Sequence, residues 1–221
     1  PDLERTASEI AEMEIRGAAT IADAAATALR EQATESDAAT PEDFREEMRK
    51  AARRLYETRP TAVSLPNALR YVLADMDGDS VETLRKSVVD SATEFCARLD
   101  RAQEDLGRIG ANRLRDGDTI MTHCHSTDAM ACVEKAVDQG KEIEAIVKET
   151  RPRKQGHITA EWLREMGVPV TLIVDNAAHR YLDDTDHVLV GADSIAADGS
   201  VINKIGTSGL AVSARDRGVP I

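Results

Sequence analysis

Aromatic residues are scarce in this chain: they make up 3% of 221 residues, with a single tryptophan. Binding of single strands relies on stacking platforms, so a nucleic-acid partner is not expected. The formal net charge of −12 also removes the basic footprint that a phosphate backbone requires. Cysteine is sparse as well. Cys96, Cys124 and Cys132 show no metal-ligand spacing and form no disulfide framework, which fits a reducing, cytoplasmic setting. Long apolar runs are missing, and the first residues do not resemble a signal peptide, so no membrane partner is expected. The first residue is Pro1 rather than Met, and the natural N-terminus is expected to precede it. Lysine is rare too: seven of the 28 basic residues are Lys, against 40 acidic residues. Such a surface suits a high-salt cytoplasm that screens its self-repulsion, although an ordinary acidic protein shares the balance.

The length allows one large or two small domains. Leu3 to about Tyr56 reads as helix throughout, with a proline-led start at Thr40-Pro41-Glu42-Asp43. Ala68 to Ala74 reads as a further helix. Asp79 or Ser80 then caps a long one, with Val81, Leu84, Val88, Ala92, Phe95 and Leu99 at threes and fours. After Asp116-Gly117-Asp118 the pattern changes. Thr119 to Thr122, Ile143 to Val147, Val168 to Val174 and His187 to Val190 read as strands. Ser126 to Gln139, Thr159 to Met166 and Ser208 to Arg217 read as helices. Alternation of this kind implies a parallel sheet with right-handed crossovers. The predicted organisation is an α-helical domain over residues 1–115 followed by a Rossmann-like α/β domain over 116–221. Val219-Pro220-Ile221 reads as the start of a further strand, so the second domain is expected to be incomplete.

In an open parallel sheet, ligands bind outside the carboxyl ends of the strands. Thr122-His123-Cys124-His125-Ser126, Glu149-Thr150-Arg151-Pro152, Gly191-Ala192-Asp193 and Asn203-Lys204-Ile205-Gly206-Thr207 all fall at that edge. A thiol, carboxylates, a lysine and an arginine gathered there point to acid–base chemistry on an anion. Cys124 precedes a helix N-terminus, which lowers a thiol pKa and suits a thiolate base; a buried core cysteine has the same pattern. Asp193 suits a buried, protonated general acid or, equally, a cap. The Lys204 segment suits a phosphate or a plain turn. Arg16 with Gly17, Ala18 and Ala19 interrupts a helical run and can cradle an anion, and Arg59 lies on a non-helical segment; each alone reads more readily as a surface arginine. His123 and His125 flank Cys124, but successive strand side chains face opposite ways and a fourth ligand is missing, so no metal is expected.

Taken in order, Met13-Glu14-Ile15-Arg16-Gly17-Ala18, Thr58-Arg59-Pro60-Thr61, Leu65-Pro66-Asn67-Ala68, Thr122-His123-Cys124, Glu149-Thr150-Arg151-Pro152 with Gln155-Gly156, Gly191-Ala192-Asp193 and Asn203-Lys204-Ile205-Gly206-Thr207 resemble the superfamily of the eIF-2B alpha/beta/delta subunits over nearly the whole chain. The early Arg-Gly-Ala motif, the Leu-Pro-Asn-Ala segment and the Cys124 and Asp193 pair look most like its archaeal ribose-1,5-bisphosphate isomerases. The acidic surface looks haloarchaeal. That resemblance implies an isomerase converting α-D-ribose 1,5-bisphosphate to D-ribulose 1,5-bisphosphate in AMP and nucleoside salvage, without a cofactor. It implies Cys124 as proton acceptor and Asp193 as proton donor. It also implies Arg16, Gly17, Ala18, Ala19, Arg59, Ser126, Thr127, Asp128, Gln155, Asn203 and Lys204 as substrate-binding residues, and a homo-oligomer, a dimer or a hexamer. Methylthioribose-1-phosphate isomerase and a non-catalytic eIF-2B-like regulatory subunit are the alternatives.

Overall fold

The computed structural model describes residues 2–221. The chain divides into two compact units, the first ending at Arg101 and the second spanning Ala102–Ile221.

The first unit is helical. It holds α1 (Leu3–Ala11), α2 (Ala18–Glu35), α3 (Pro41–Tyr56), α4 (Ser64–Leu73) and most of α5 (Val81–Ala111). The helical stretch expected from Leu3 to Tyr56 is three helices, broken beside Arg16-Gly17 and ahead of Thr40, where the sequence marks an interruption and a new start. Met13 and Gly17 adopt positive φ (63° and 89°), which ends one helix and starts the next, and extended backbone at Ser36 separates α2 from α3. Thr40 caps α3 as its sequence predicts: its hydroxyl accepts the Asp43 N–H at 3.2 Å, with Pro41 in the first turn. Ser80 does the same for α5, accepting the Thr83 N–H at 3.1 Å. Helix α4 begins four residues earlier than expected, because Pro66 falls in its first turn, where no amide donor is needed. Ile10, Leu29, Phe44, Met48, Leu55, Leu65, Leu84 and Val88 are buried in one apolar core.

The second unit is α/β. Strands β1 (Thr119–His123), β2 (Glu144–Lys148), β3 (Val170–Ile173) and β4 (His187–Leu189) form one parallel sheet in the order β3-β2-β1-β4. Ile120 pairs with Ala145 and His187, which sets the register. Adjacent residues of β1 serve different layers, as strand alternation requires. Ile120 packs in a core with Ala129, Met130 and Val133 of α6 (Thr127–Asp138) and Leu163 of α7 (Gln155–Glu165). Met121 packs in a second core with Ile146, Ala178 of α8 (Ala178–Tyr181) and Leu210 and Ala214 of α9 (Thr207–Arg217). The sheet is thus covered on both faces, as buried parallel strands need.

Further details of the second unit depart from the sequence reading, among them α7, which begins at Gln155 rather than Thr159. A small antiparallel hairpin, β5 (Ser194–Ile195) with β6 (Val201–Ile202), follows β4; strands of two residues leave no periodicity to read. The segment 219–221 forms no strand, although the Val188 N–H donates to the Pro220 carbonyl at 2.8 Å. Among the described residues, no helix is long and apolar enough to cross a membrane.

Candidate active site

Cys124 follows β1 directly and has φ of 71°, a left-handed conformation that costs a non-glycine residue on the order of 1–2 kcal/mol. Two buried threonines hold it there. Its N–H donates to Thr150 Oγ1 at 2.8 Å, and its carbonyl accepts from Thr159 Oγ1 at 2.9 Å. Thr150 is 1% exposed and Thr159 fully buried, so neither bond competes with water. The Cys124 thiol donates to Gln155 Oε1 at 3.4 Å, at the first residue of α7. Gly156 makes that approach feasible: a Cβ there would stand 1.8 Å from the Lys148 carbonyl oxygen.

The expected depression of the thiol pKa is corrected by the structure. Burial pushes Cys124 upward, outweighing the His125 main-chain N–H and the Lys204 ammonium, both of which lower it; the Asp193 carboxylate raises it further. Lys204 and Asp193 nonetheless sit within electrostatic reach of the sulfur. Asp193 itself does not match the expected buried acid. It lies past the end of β4, where its N–H donates to the Ile202 carbonyl at 2.9 Å, and its side chain is exposed.

The loop before α9 closes on itself. Asn203 Nδ2 donates to Thr207 Oγ1 at 3.1 Å, and that hydroxyl donates to the Lys204 carbonyl at 2.8 Å. Ser126 caps α6, its hydroxyl accepting the Ala129 N–H at 3.2 Å, with Thr127 and Asp128 half-buried in the first turn. Within the second unit, the structure therefore brings Cys124 into contact with Gln155 and into the fields of Asp193 and Lys204. The other predicted residues belong to the first unit. Arg16 is exposed between α1 and α2, and its Nε donates to the Met13 carbonyl. Gly17 is the N-cap of α2, and Ala18 and Ala19 open its first turn. Arg59 is half-buried between α3 and α4.

His123 and His125 part company because β1 ends at His123 and Cys124 turns the chain with positive φ; a strand continued through them would have set both on one face. His125 Nδ1 meets Thr159 Oγ1 at 3.0 Å, whereas His123 Nε2 meets the Ile205 carbonyl at 2.7 Å. Thr150, Thr159 and Asp175 support the site without having been singled out. Asp175 accepts the Thr150 N–H at 3.0 Å and the Arg151 N–H at 2.7 Å. Thr150 stood within the quoted Glu-Thr-Arg-Pro motif, whereas Asp175 carries no local signal.

A helical unit followed by a parallel-sheet unit, with a buried thiol and a lysine-bearing loop at the strand ends, defines the class. The model of the Initiation factor 2 subunit family matches residues 14–221, and the chain belongs to that family. Within it, the chain is 78% identical to a ribose 1,5-bisphosphate isomerase of Haloferax volcanii, over all 221 residues and 68% of that protein's length. Two solved structures share the fold. A translation initiation factor eIF-2B of Pyrococcus horikoshii matches 99% of this chain and 76% of its own, with a TM-score of 0.87 and 27% identity. A 5-methylthioribose 1-phosphate isomerase of the same organism matches 99% and 65%, with a TM-score of 0.85 and 34% identity.

Proposed function

We propose that this chain isomerises α-D-ribose 1,5-bisphosphate to D-ribulose 1,5-bisphosphate. The observation that carries this reading is the 78% identity, along the whole chain, to a ribose 1,5-bisphosphate isomerase. Identity to the methylthioribose 1-phosphate isomerase is less than half as high, and the Cys124 and Asp193 pair argues against a purely regulatory subunit.

An aldose–ketose shift needs a base, an acid and stabilisation of a developing enediolate. In the proposed mechanism the Cys124 thiol passes its proton to the Asp193 carboxylate once substrate is bound, and Asp193 gives that proton to the ring oxygen as the ring opens. The Cys124 thiolate takes the proton from C2, and that proton returns at C1 as Asp193 relays protons between oxygens. Gln155, held against the thiol, orients it. Lys204 favours both the thiolate and the negative enediolate oxygen. Asn203, Ser126, Thr127 and Asp128 line the substrate side of the second unit. Arg16, Gly17, Ala18, Ala19 and Arg59 hold one phosphate. A substrate carrying about four negative charges needs such local cations against a net charge of −12.

The proposed setting is a cytoplasm, which the three free cysteines suit. A homo-oligomer, a dimer or a hexamer built from dimers, completes the reading. Exposed Ile195, Val201 and Ile202 on the hairpin suit a protein contact. The test is a substrate comparison: full-length protein in high salt is given ribose 1,5-bisphosphate or methylthioribose 1-phosphate, and the ketose product is followed. Turnover of the bisphosphate is the expected result. Exclusive turnover of the methylthio sugar, or of neither, contradicts it.

A further inference from the structure

One buried side chain is used by none of these roles, and it sits at the centre of the site. His123 ends β1, next to Cys124, and is 2% exposed. Nε2 lies 2.7 Å from the Ile205 carbonyl, 82 residues away in the chain. A carbonyl only accepts, so the proton is on Nε2. Nδ1 faces Thr150 Oγ1 at 3.3 Å, the same hydroxyl that accepts the Cys124 N–H. Beyond it, Asp175 Oδ1 stands 3.9 Å from Nδ1 and holds the Thr150 N–H. The residue after Ile205 is Gly206, with φ of 101°; a Cβ there would stand 2.9 Å from His123 Nε2, so glycine lets the loop lie directly on the ring. One chain of polar contacts thus runs from the end of β3, through the segment after β2 and the end of β1, to the loop that carries Asn203 and Lys204, although the Thr150 hydroxyl proton itself points to the Lys148 carbonyl at 3.1 Å.

We infer that His123 is a positioning residue for the reaction: it clamps the Asn203–Lys204 loop against the strand end that carries Cys124. This rests on the isomerase reading for its catalytic consequence, but the clamp itself does not. Burial lowers the imidazole pKa, and the charges of Lys148 and Lys204 lower it further, while the Ile205 carbonyl and Asp175 raise it. The ring is therefore a neutral hydrogen-bond donor near pH 7 and adds no charge of its own to the site. Without the Nε2–H bond, Ile205 loses its tether and the neighbouring Lys204 ammonium loses its fixed distance from the sulfur.

Three variants of the full-length protein test this. His123→Phe keeps the ring and removes the donor, His123→Gln keeps an N–H at a similar reach, and Gly206→Ala lifts the exposed loop from the other side. His123→Phe and Gly206→Ala are expected to lose about tenfold to a hundredfold in kcat/KM, the scale for displacing a catalytic group by an ångström, with His123→Gln recovering most of it. Trypsin cleavage after Lys204, which needs no turnover, is expected to quicken in the Phe and Ala variants and not in Gln. Wild-type kinetics and cleavage in both Phe and Ala overturn the clamp. So does equal impairment of Phe and Gln, which would mean that the ring's shape matters rather than its bond. If the wild type fails to turn over the bisphosphate, the functional reading falls, and the cleavage rates still decide the clamp. If His123→Phe does not fold, Gly206→Ala decides it alone.

Discussion

The Cys124 amide donates to Thr150 Oγ1 at 2.8 Å, and both residues have positive φ, 71° and 60°. Two consecutive strand ends of the sheet therefore fix each other in backbone conformations that neither residue adopts readily. This makes Thr150 the anchor of the Cys124 backbone. Thr150→Val leaves the buried Cys124 N–H without an acceptor, a cost of about 1–3 kcal/mol. Thr150→Ser keeps the acceptor and loses one methyl group, about 0.8 kcal/mol. Urea midpoints are expected to fall in the order wild type, Ser, Val; equal midpoints for Val and Ser would remove the bond from the account.

Cys124 reactivity reports the electrostatics directly. Burial raises its pKa, so at pH 7 less of it is thiolate than for an ordinary thiol. Alkylation by iodoacetamide, followed on the Cys124 peptide by mass spectrometry, is expected to be slow at pH 7 and to climb well into the alkaline range. Asp193→Asn removes a charge that raises the pKa and should shift the profile to lower pH. Lys204→Met removes one that lowers it and should shift the profile to higher pH. A shift in the opposite sense in either variant would show that these charges do not act on the sulfur as described.

Lys148 ends β2 at 3% exposure, and burial lowers its pKa, partly offset by Asp175. A proton bound less tightly in the folded state opposes folding at every pH below the folded pKa; the penalty fades as pH rises through that value and is gone above the unfolded one, about 10.4. Lys148→Met should therefore raise the urea midpoint at pH 7, and its advantage over the wild type should shrink toward pH 10 and beyond. A variant less stable than the wild type at pH 7 would mean that the charge is compensated by a partner.

The four strands and the helices α6 and α9 were legible because each element repeats its own period, and Thr40-Pro41 announced the start of α3. The break at Met13–Gly17 was legible only as a local anomaly, since Ala-rich flanks favour helix on both sides. Cys124 and Gln155 lie 31 residues apart, and it was the motif order, not any local pattern, that paired them. The rise in the Cys124 pKa was legible only through the alternative of a buried core cysteine. Helix position is a local property, whereas the opposing burial is supplied by strands and helices distant in the chain. Asp175 was missed for the same reason: its partners, Thr150 and Arg151, are 25 and 24 residues away.

Cys124 and Asp193 are proposed to act as base and acid on ribose 1,5-bisphosphate. These roles are tested most directly by phosphorus NMR of that substrate with full-length wild type, Cys124→Ser and Asp193→Asn, each checked for folding by circular dichroism. The account predicts ribulose 1,5-bisphosphate from the wild type and a loss of about 10²- to 10⁴-fold in rate for each folded variant, the usual share of acid–base catalysis. Near-normal turnover by either folded variant would contradict it.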